Sequence, residues 1–285
     1  MARWFFKYYY LGKEKYYGSQ RQKDLLTVEN VLLKTLKRRK YIKNAQDSGF
    51  ESASRTDKYV SARGAVFAVD CLKYPILMEL NSHMPKDIGI WAYSEVPEGY
   101  SPRFSALKRY YKYILPKPLS YLREKYNFDV SIVKEACNIL KGTHDFQNFS
   151  KRDSEIINTV RTMEEIKLSI INDTVIIDFI SEAFLRQQIR RIAKKLIQLG
   201  KGLIEWSEFI ELLNPSKFIS YEPANPKGLI LWDIKYNDEM LLFQKDSKSI
   251  ERMKNYFFTQ KMAHYLKFNL FRSLLQQDDF SNESL

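Results

Sequence analysis

Residues 50–69 (FESASRTDKYVSARGAVFAV) limit most strongly what this chain can fold into. A polar segment at residues 52–57 is followed by Gly64 and then by an uninterrupted apolar run at residues 65–69. An apolar run of this length, bounded by a glycine, is typical of a buried strand. The sequence therefore predicts that Asp57 lies in a loop leading into a rigid strand, which is where catalytic side chains are often found.

Asp57 has two interpretations on local pattern. Arg55 lies two residues before it and Arg63 six residues after it. A carboxylate flanked by arginines suits an acid that acts on a polyanion. Alternatively, Asp57 caps a turn through its side chain and Arg55 is an ordinary surface charge. Both interpretations stay open here, because the three-residue motif Arg-Thr-Asp is too short to decide.

The composition favours a globular protein with an anionic partner. Hydrophobic residues make up 45% of the 285 residues and charged residues 28%, which excludes a disordered chain. The 46 Lys and Arg exceed the 34 Asp and Glu by 12, which points to nucleic acid. The 19 Tyr and 18 Phe could stack on unpaired bases, although most must lie in the core.

The same composition argues against several other classes of protein. The two cysteines give no disulfide framework, and the three histidines are too far apart in sequence for metal-ligand spacing. The aromatic N-terminus is too short and too polar for a signal sequence or a membrane span. We therefore expect a cytoplasmic protein with no cofactor, no metal and no membrane contact.

The order of the predicted elements divides the chain into two similar subdomains, residues 1–103 and 104–236. Each has the order βαββαβ, with one extra helix at 206–213 in the second. We expect an α+β fold with mainly antiparallel sheets, helices packed on one side, and the catalytic groove between the subdomains. The first subdomain carries the Asp57 loop. The predicted elements are strands at 4–11, before the Asp57 loop, 64–69, 88–96, 104–115, 159–171, 174–181 and 228–236, and helices at 27–40, 76–82, 130–141, 184–199 and 206–213.

Residues 237–285 form a basic tail of different character. Residues 247–275 have a helical pattern in which lysines and arginines alternate with apolar side chains. This pattern favours a helix packed on the protein's own core, because an apolar stripe needs a partner in water. An arm that contacts RNA is the alternative.

Several motifs together resemble the TruA family of tRNA pseudouridine synthases. The segment Ser54-Arg55-Thr56-Asp57 resembles the family's Gly-Arg-Thr-Asp. Six further segments also match, and all of them stand in the family's order over about residues 3–236, which is far more specific than one short match. The other matching segments are residues 8–22 (YYYLGKEKYYGSQRQ), 102–106 (PRFSA), 109–113 (Arg-x-Tyr-x-Tyr), 142–149 (Gly-x-x-Asp-Phe-x-x-Phe), 184–190 (FLRQQIR) and 226–236.

The resemblance implies an isomerase that converts uridine to pseudouridine in the anticodon stem-loop of tRNA, at positions 38, 39 or 40. It implies Asp57 as the catalytic carboxylate at the ribose–base junction and Tyr111, Arg190 and Arg55 as substrate-binding residues. Family members are homodimers, so a dimer is expected here. On local pattern alone, Arg190 would be a helix-surface charge and Tyr111 a core residue.

The Asp57 loop also departs from the family pattern. Ser54, Lys58, Tyr59 and Ser61 replace Gly, Ala, Gly and His, and the bulkier loop affects RNA contact and target choice rather than the reaction type. It also supports the main alternative, a tRNA-binding protein or chaperone of the same fold with weak or no turnover. A metal-dependent nuclease would need carboxylates clustered near Asp57, and in sequence only Glu51 is close.

Overall fold

The computed structural model contains one sheet of ten strands, and it describes residues 1–152, 158–237, 239 and 241–275. Within these residues every strand pair is antiparallel except one. The predicted α+β class with mainly antiparallel strands is confirmed. The strands are β1 (Ala2–Tyr10), β2 (Glu51–Ser52), β3 (Ser61–Cys71), β4 (Ile88–Val96), β5 (Lys108–Ile114), β6 (Gly142–Asp145), β7 (Val160–Ile171), β8 (Thr174–Ser181), β9 (Leu229–Lys235) and β10 (Gln244–Lys245).

Helices and short 3-10 turns connect these strands. No helix in the described part of the chain is both long and apolar enough to cross a membrane. The helices are α1 (Val28–Arg38), α2 (Leu77–Ser82), α3 (Leu119–Tyr126), α4 (Val130–Ile139), α5 (Gln188–Gly200), α6 (Trp206–Glu211) and α7 (Ser247–Leu274).

The strand order places the two halves of the chain side by side in a single sheet, β10-β4-β1-β3-β9-β5-β8-β7-β6, with β2 paired to β3. The two halves meet where β3 runs parallel to β9, with Ser61 opposite Ile230 and Ala62 opposite Leu231. The start of β3, directly after the Asp57 loop, therefore lies at the junction of the two halves. The boundary between residues 103 and 104 stays a prediction.

The aromatic strand β1 is buried along nearly its whole length, because it pairs with β3 on one side and β4 on the other. Successive side chains of a strand point to opposite faces of the sheet. Tyr8 and Tyr10 accordingly belong to the main core, whereas Tyr9 joins a second, smaller cluster with Trp91 and Met253. Both faces of this part of the sheet are thus covered.

Local sequence accounts for several helix ends. Thr27 is the N-cap of α1, where its hydroxyl accepts from Asn30 N while Asn30 Oδ1 accepts from Thr27 N. Helix α3 lies between Pro118 and Asn127, in a region where the sequence predicted no element. Proline suits a helix start and asparagine a left-handed residue at its end, so the pattern was present but short.

The structure shifts the ends of several predicted elements. The strand predicted at residues 104–115 begins at Lys108, because residues 102–105 form a turn. The helix predicted at 184–199 begins at Gln188, after Gln187 adopts a left-handed conformation with φ of 60°. The strand before the Asp57 loop spans only two residues, β2.

Helix α7 has two parts with different surroundings. The docked part, residues 247–257, packs beside β4, and Ser249, Met253 and Tyr256 are buried there. Arg252 anchors it by donating to Tyr9 Oη at 2.5 Å and to four backbone carbonyl oxygens of residues 81–88. In the exposed part, residues 258–275, nearly every side chain faces solvent. The prediction of a helix packed on the core is correct for the docked part alone.

Candidate active site

The Asp57 loop (residues 53–60) is held in place by the chain segment that follows β1. Ser19 is buried, and its hydroxyl accepts a hydrogen bond from Thr56 N at 2.8 Å, while Ser19 N donates to Thr56 O at 3.2 Å. The hydroxyls of Tyr10 and Thr56 are 2.7 Å apart. Three hydrogen bonds thus fix the residue directly before Asp57.

Two glycines allow this segment to pack tightly against the loop. A Cβ atom at Gly12 would lie 2.3 Å from the backbone of Tyr59, and one at Gly18 would lie 2.9 Å from Thr56 O. Gly18 also has a φ of 94°, which side chains disfavour. The glycines of the segment at residues 8–22 therefore support the shape of the Asp57 loop, a role that sequence reasoning did not assign to them.

Asp57 and Arg190 form an ion pair, although 133 residues separate them in sequence. Arg190 Nη1 donates to Asp57 Oδ2 at 2.5 Å. The Arg190 side chain is 10% exposed and that of Asp57 37%, so the guanidinium lies beneath the carboxylate. Among the described residues a hydrogen-bond donor reaches Oδ2, and none reaches Oδ1, so no side chain or backbone group of these residues occupies Oδ1.

Arg190 is positioned by the first turn of α5 and by the segment before β9. Its Nε donates to Ala224 O at 2.8 Å, and Ala224 N donates to Arg190 O at 3.0 Å. The guanidinium is therefore fixed at two points, by a backbone carbonyl and by a carboxylate. The alternative in which Arg190 is a helix-surface charge is wrong, because the side chain is buried.

Tyr111 lies in β5 close to this pair and is 7% exposed. Its ring packs edge-on against Phe184, with the ring centroids 5.2 Å apart. Burial raises the pKa of the Tyr111 hydroxyl; Arg109 and a hydrogen bond from Ser54 lower it, and the Asp57 carboxylate raises it further, so that the pKa ends above its ordinary value. The phenol thus stays protonated at neutral pH, which disfavours a phenolate base.

Arg55 is not part of the Asp57–Arg190 ion pair. Its side chain is exposed, and no carboxylate of the described residues forms a salt bridge with it. It extends from the same loop as Asp57, so it is available to an incoming anion. A role for Arg55 in substrate binding stays a prediction.

A second buried arginine, Arg109, connects three segments at the base of the loop. Its Nε donates to Ser54 Oγ at 3.0 Å. Its Nη2 donates to the carbonyl oxygens of Ala53 at 3.0 Å and Arg103 at 2.8 Å, and its Nη1 to that of Glu182. Sequence reasoning placed Arg109 in a motif but not at this junction, because three of its four bonds reach residues 55 to 73 positions away in sequence.

The assembled site is one carboxylate, held by a buried arginine and open on its outer side, next to a protonated tyrosine. Such a carboxylate can act as a nucleophile or accept a proton. Within residues 1–152, 158–237, 239 and 241–275, no group of three or more His, Cys, Asp and Glu side chains could hold a metal ion.

Comparison with known protein families first gives the class of protein to which this chain is similar. A family model described as tRNA pseudouridine synthase matches residues 136–237. Relatives that match along most of the chain then narrow the class to one family. A tRNA pseudouridine synthase A of Pyrococcus furiosus is 34% identical over 275 residues, covering 94% of each chain. That of Methanosarcina mazei is 32% identical, covering 94% of this chain and 95% of its own.

A third relative, the tRNA pseudouridine synthase A of Methanothrix thermoacetophila, is 37% identical over 86% of each chain. Identity at this level over nearly whole chains does not arise by chance similarity of fold. The chain belongs to the TruA family of tRNA pseudouridine synthases, which are isomerases, and the resemblance found in its motifs is confirmed.

Proposed function

We propose that this protein converts uridine to pseudouridine in the anticodon stem-loop of tRNA, at position 38, 39 or 40, with Asp57 as the catalytic carboxylate. The observation that carries this proposal is the Asp57–Arg190 pair, because it leaves one carboxylate oxygen open at the centre of the sheet. The excess of 12 positive charges suits the RNA substrate. In keeping with the family, the protein acts as a cytoplasmic homodimer.

The reaction exchanges one bond of the uridine for another. The bond from C1′ of the ribose to N1 of uracil breaks, the detached base turns, and C1′ joins C5. C5 then loses its hydrogen as a proton and N1 gains one, so no oxidant or co-reactant is needed. Asp57 either attacks C1′ as a nucleophile or removes the proton from C2′, and both routes use the open oxygen.

The surrounding residues have separate roles in this proposal. Arg190 offsets the charge of Asp57 when the carboxylate approaches the anionic RNA backbone, and it holds the carboxylate through Oδ2. Tyr111 lies against the flipped uracil and retains the base after the glycosidic bond breaks. Arg55, on the solvent side of the loop, contacts the RNA strand.

A tRNA-binding protein of the same fold without efficient turnover is the second candidate. It is favoured by Lys58 and Tyr59, which replace smaller residues directly after Asp57. The two candidates predict the same affinity for tRNA but different chemistry. Only a synthase releases the C5 hydrogen of uridine.

The test uses an unmodified tRNA transcript labelled with tritium at C5 of uridine. Incubation with the pure protein should release tritium into water, and mapping should locate pseudouridine at positions 38 to 40. Asp57→Asn should bind the transcript within a few-fold of the wild type and lose at least about a thousandfold in rate. Binding without tritium release by the wild type would refute the proposed activity, and substantial turnover by Asp57→Asn would refute the role of Asp57.

A further inference from the structure

Tyr59 has a backbone conformation that its side chain disfavours. It lies two residues after Asp57 and has a φ of 70°, in the left-handed region that favours glycine. The family motif has glycine at this position, so the chain has replaced a relaxed residue by a strained one. Backbone strain of this kind persists only where the surroundings fix it, and it is frequent at binding sites.

The surroundings of the Tyr59 ring are cationic. Lys227 Nζ lies 5.2 Å from the centroid of the ring, and Lys58 Nζ lies 5.1 Å from it. Lys58 Nζ is also 3.9 Å from the ring centroid of Tyr17, so it lies between two aromatic rings. Lys58, which also replaces a smaller residue of the family motif, thus belongs to the same cluster as Tyr59.

An open cavity of about 620 Å³ lies beside this ring. Its lining includes Gly12, which packs against the Tyr59 backbone. We call this cavity the Tyr59 pocket; it is lined by Gly12, Lys13, Glu14, Lys15, Tyr59 and Lys227.

The Tyr59 pocket carries a positive charge. Lys13 and Lys15 both pair with the buried carboxylate of Asp87, at 3.1 and 3.0 Å, so two ammonium groups share one counter-charge. Glu14 lies on the wall, whereas Lys227 and Lys58 contribute two further positive charges. The sum of these six charges is +2, and an aromatic ring lies among them.

We propose that the Tyr59 pocket binds the RNA strand next to the target uridine, with an unpaired base stacked on Tyr59 and its phosphates beside Lys227, Lys13 and Lys15. An aromatic ring among lysines is the arrangement that binds single-stranded RNA, since the ring stacks on a base and the lysines neutralise phosphates. The proposal rests on the proposed function, because it takes the strand that enters the pocket from the substrate of Asp57.

Tyr59→Gly and Tyr59→Phe test the stacking. Tyr59→Gly removes the ring and the strain together, so the KM for tRNA should rise about tenfold while the melting temperature does not fall. Tyr59→Phe keeps the ring and should raise KM less than about twofold. A wild-type KM in Tyr59→Gly would overturn the proposal, and so would a loss confined to kcat, which would mean that Tyr59 only shapes the loop.

Lys227→Ala tests the phosphate contact and has a matched control. Lys117 is also exposed, and its Nζ lies 5.2 Å from the ring centroid of Tyr121, the same distance as Lys227 from Tyr59. Lys227→Ala should lower the slope of log affinity against log salt by about 0.7 to 0.9, and Lys117→Ala should not. Equal slopes for the two variants would overturn the proposal.

The two proposals fail in different ways. If the wild type releases no tritium from labelled tRNA, the proposed activity is wrong. If the wild type is active but Tyr59→Gly keeps its KM, or Lys227→Ala keeps its salt slope, only the Tyr59 pocket is wrong. A variant of Tyr59 that does not fold leaves the decision to Lys227→Ala, which alters one exposed side chain.

Discussion

The unequal burial of Asp57 and Arg190 predicts that the two halves of the pair respond differently to substitution. Asp57→Asn leaves the guanidinium, which is 10% exposed, without a counter-charge. Arg190→Met leaves the Asp57 carboxylate without a partner, but this carboxylate is 37% exposed and can be hydrated. Losing the arginine should therefore lower the free energy of unfolding less. Asp57→Asn should therefore destabilise the protein more than Arg190→Met, although both should lower activity.

The size of the effect follows from the geometry. Two unit charges about 4 Å apart attract by about 4 kcal/mol at an effective dielectric constant near 20. Because Asp57 is partly exposed, the loss lies between that of an exposed pair, up to about 1 kcal/mol, and that of a buried pair, about 3 to 5 kcal/mol, so we expect about 2 kcal/mol. For a chain of this size that loss lowers the melting temperature by about 4 °C. Arg190→Met should cost less than about 1 kcal/mol.

Thermal melts followed by circular dichroism measure the difference, and an ion pair with a less buried cation provides the control. Lys112 and Asp178 are also 2.5 Å apart, but both side chains are 29% exposed. Asp178→Asn should therefore lower the melting temperature by less than half as much as Asp57→Asn. The reasoning from burial is refuted if Asp57→Asn melts at or above the wild-type temperature, or if Arg190→Met is the less stable variant.

Three further predictions concern the rest of the chain. Truncation after Thr259 should leave the melting temperature within about 1 °C, whereas truncation after Asp246 removes buried side chains and should lower it by about 5 °C or more. A lower salt slope of tRNA binding in the variant truncated after Thr259 would show that the exposed part contacts phosphates. Burial raises the pKa of Asp87, but its two lysine partners outweigh this and leave the pKa below its ordinary value. Its stabilisation is therefore complete above about pH 4 and is lost as the pH falls through the folded pKa. Asp87→Asn should therefore flatten the fall of the urea midpoint below about pH 4. Tyr111→Ala should lose clearly more activity than Tyr111→Phe, because the proposed role needs the ring, and equal losses with tRNA still bound would assign the role to the hydroxyl.

The sequence predicted well those features that depend on neighbouring residues. The strand β8 coincides with its prediction, and the turn at Asn172 and Asp173 before it has positive φ at both residues, as a tight hairpin requires. Thr27 begins α1 as predicted. Each of these depends on fewer than about a dozen successive residues, so local preference decides them.

Contacts between distant segments could not be predicted in the same way. The motif resemblance brought Asp57 and Arg190 into one site, but their pairing and unequal burial depend on how α5 packs behind the loop. Arg109 likewise bonds to residues up to 73 positions away. The continuous sheet depends on the β3–β9 pair, which joins positions about 170 residues apart and has no local pattern.

The parallel pair of β3 and β9 also bears on whether the protein or the RNA changes conformation when substrate binds. A hinge between the two halves would have to break the backbone hydrogen bonds of this pair, at strands whose side chains are largely buried. We therefore expect the protein to meet RNA as an inflexible template. The distortion then falls on the RNA, and a uridine is modified faster the more readily its nucleotide leaves the stack.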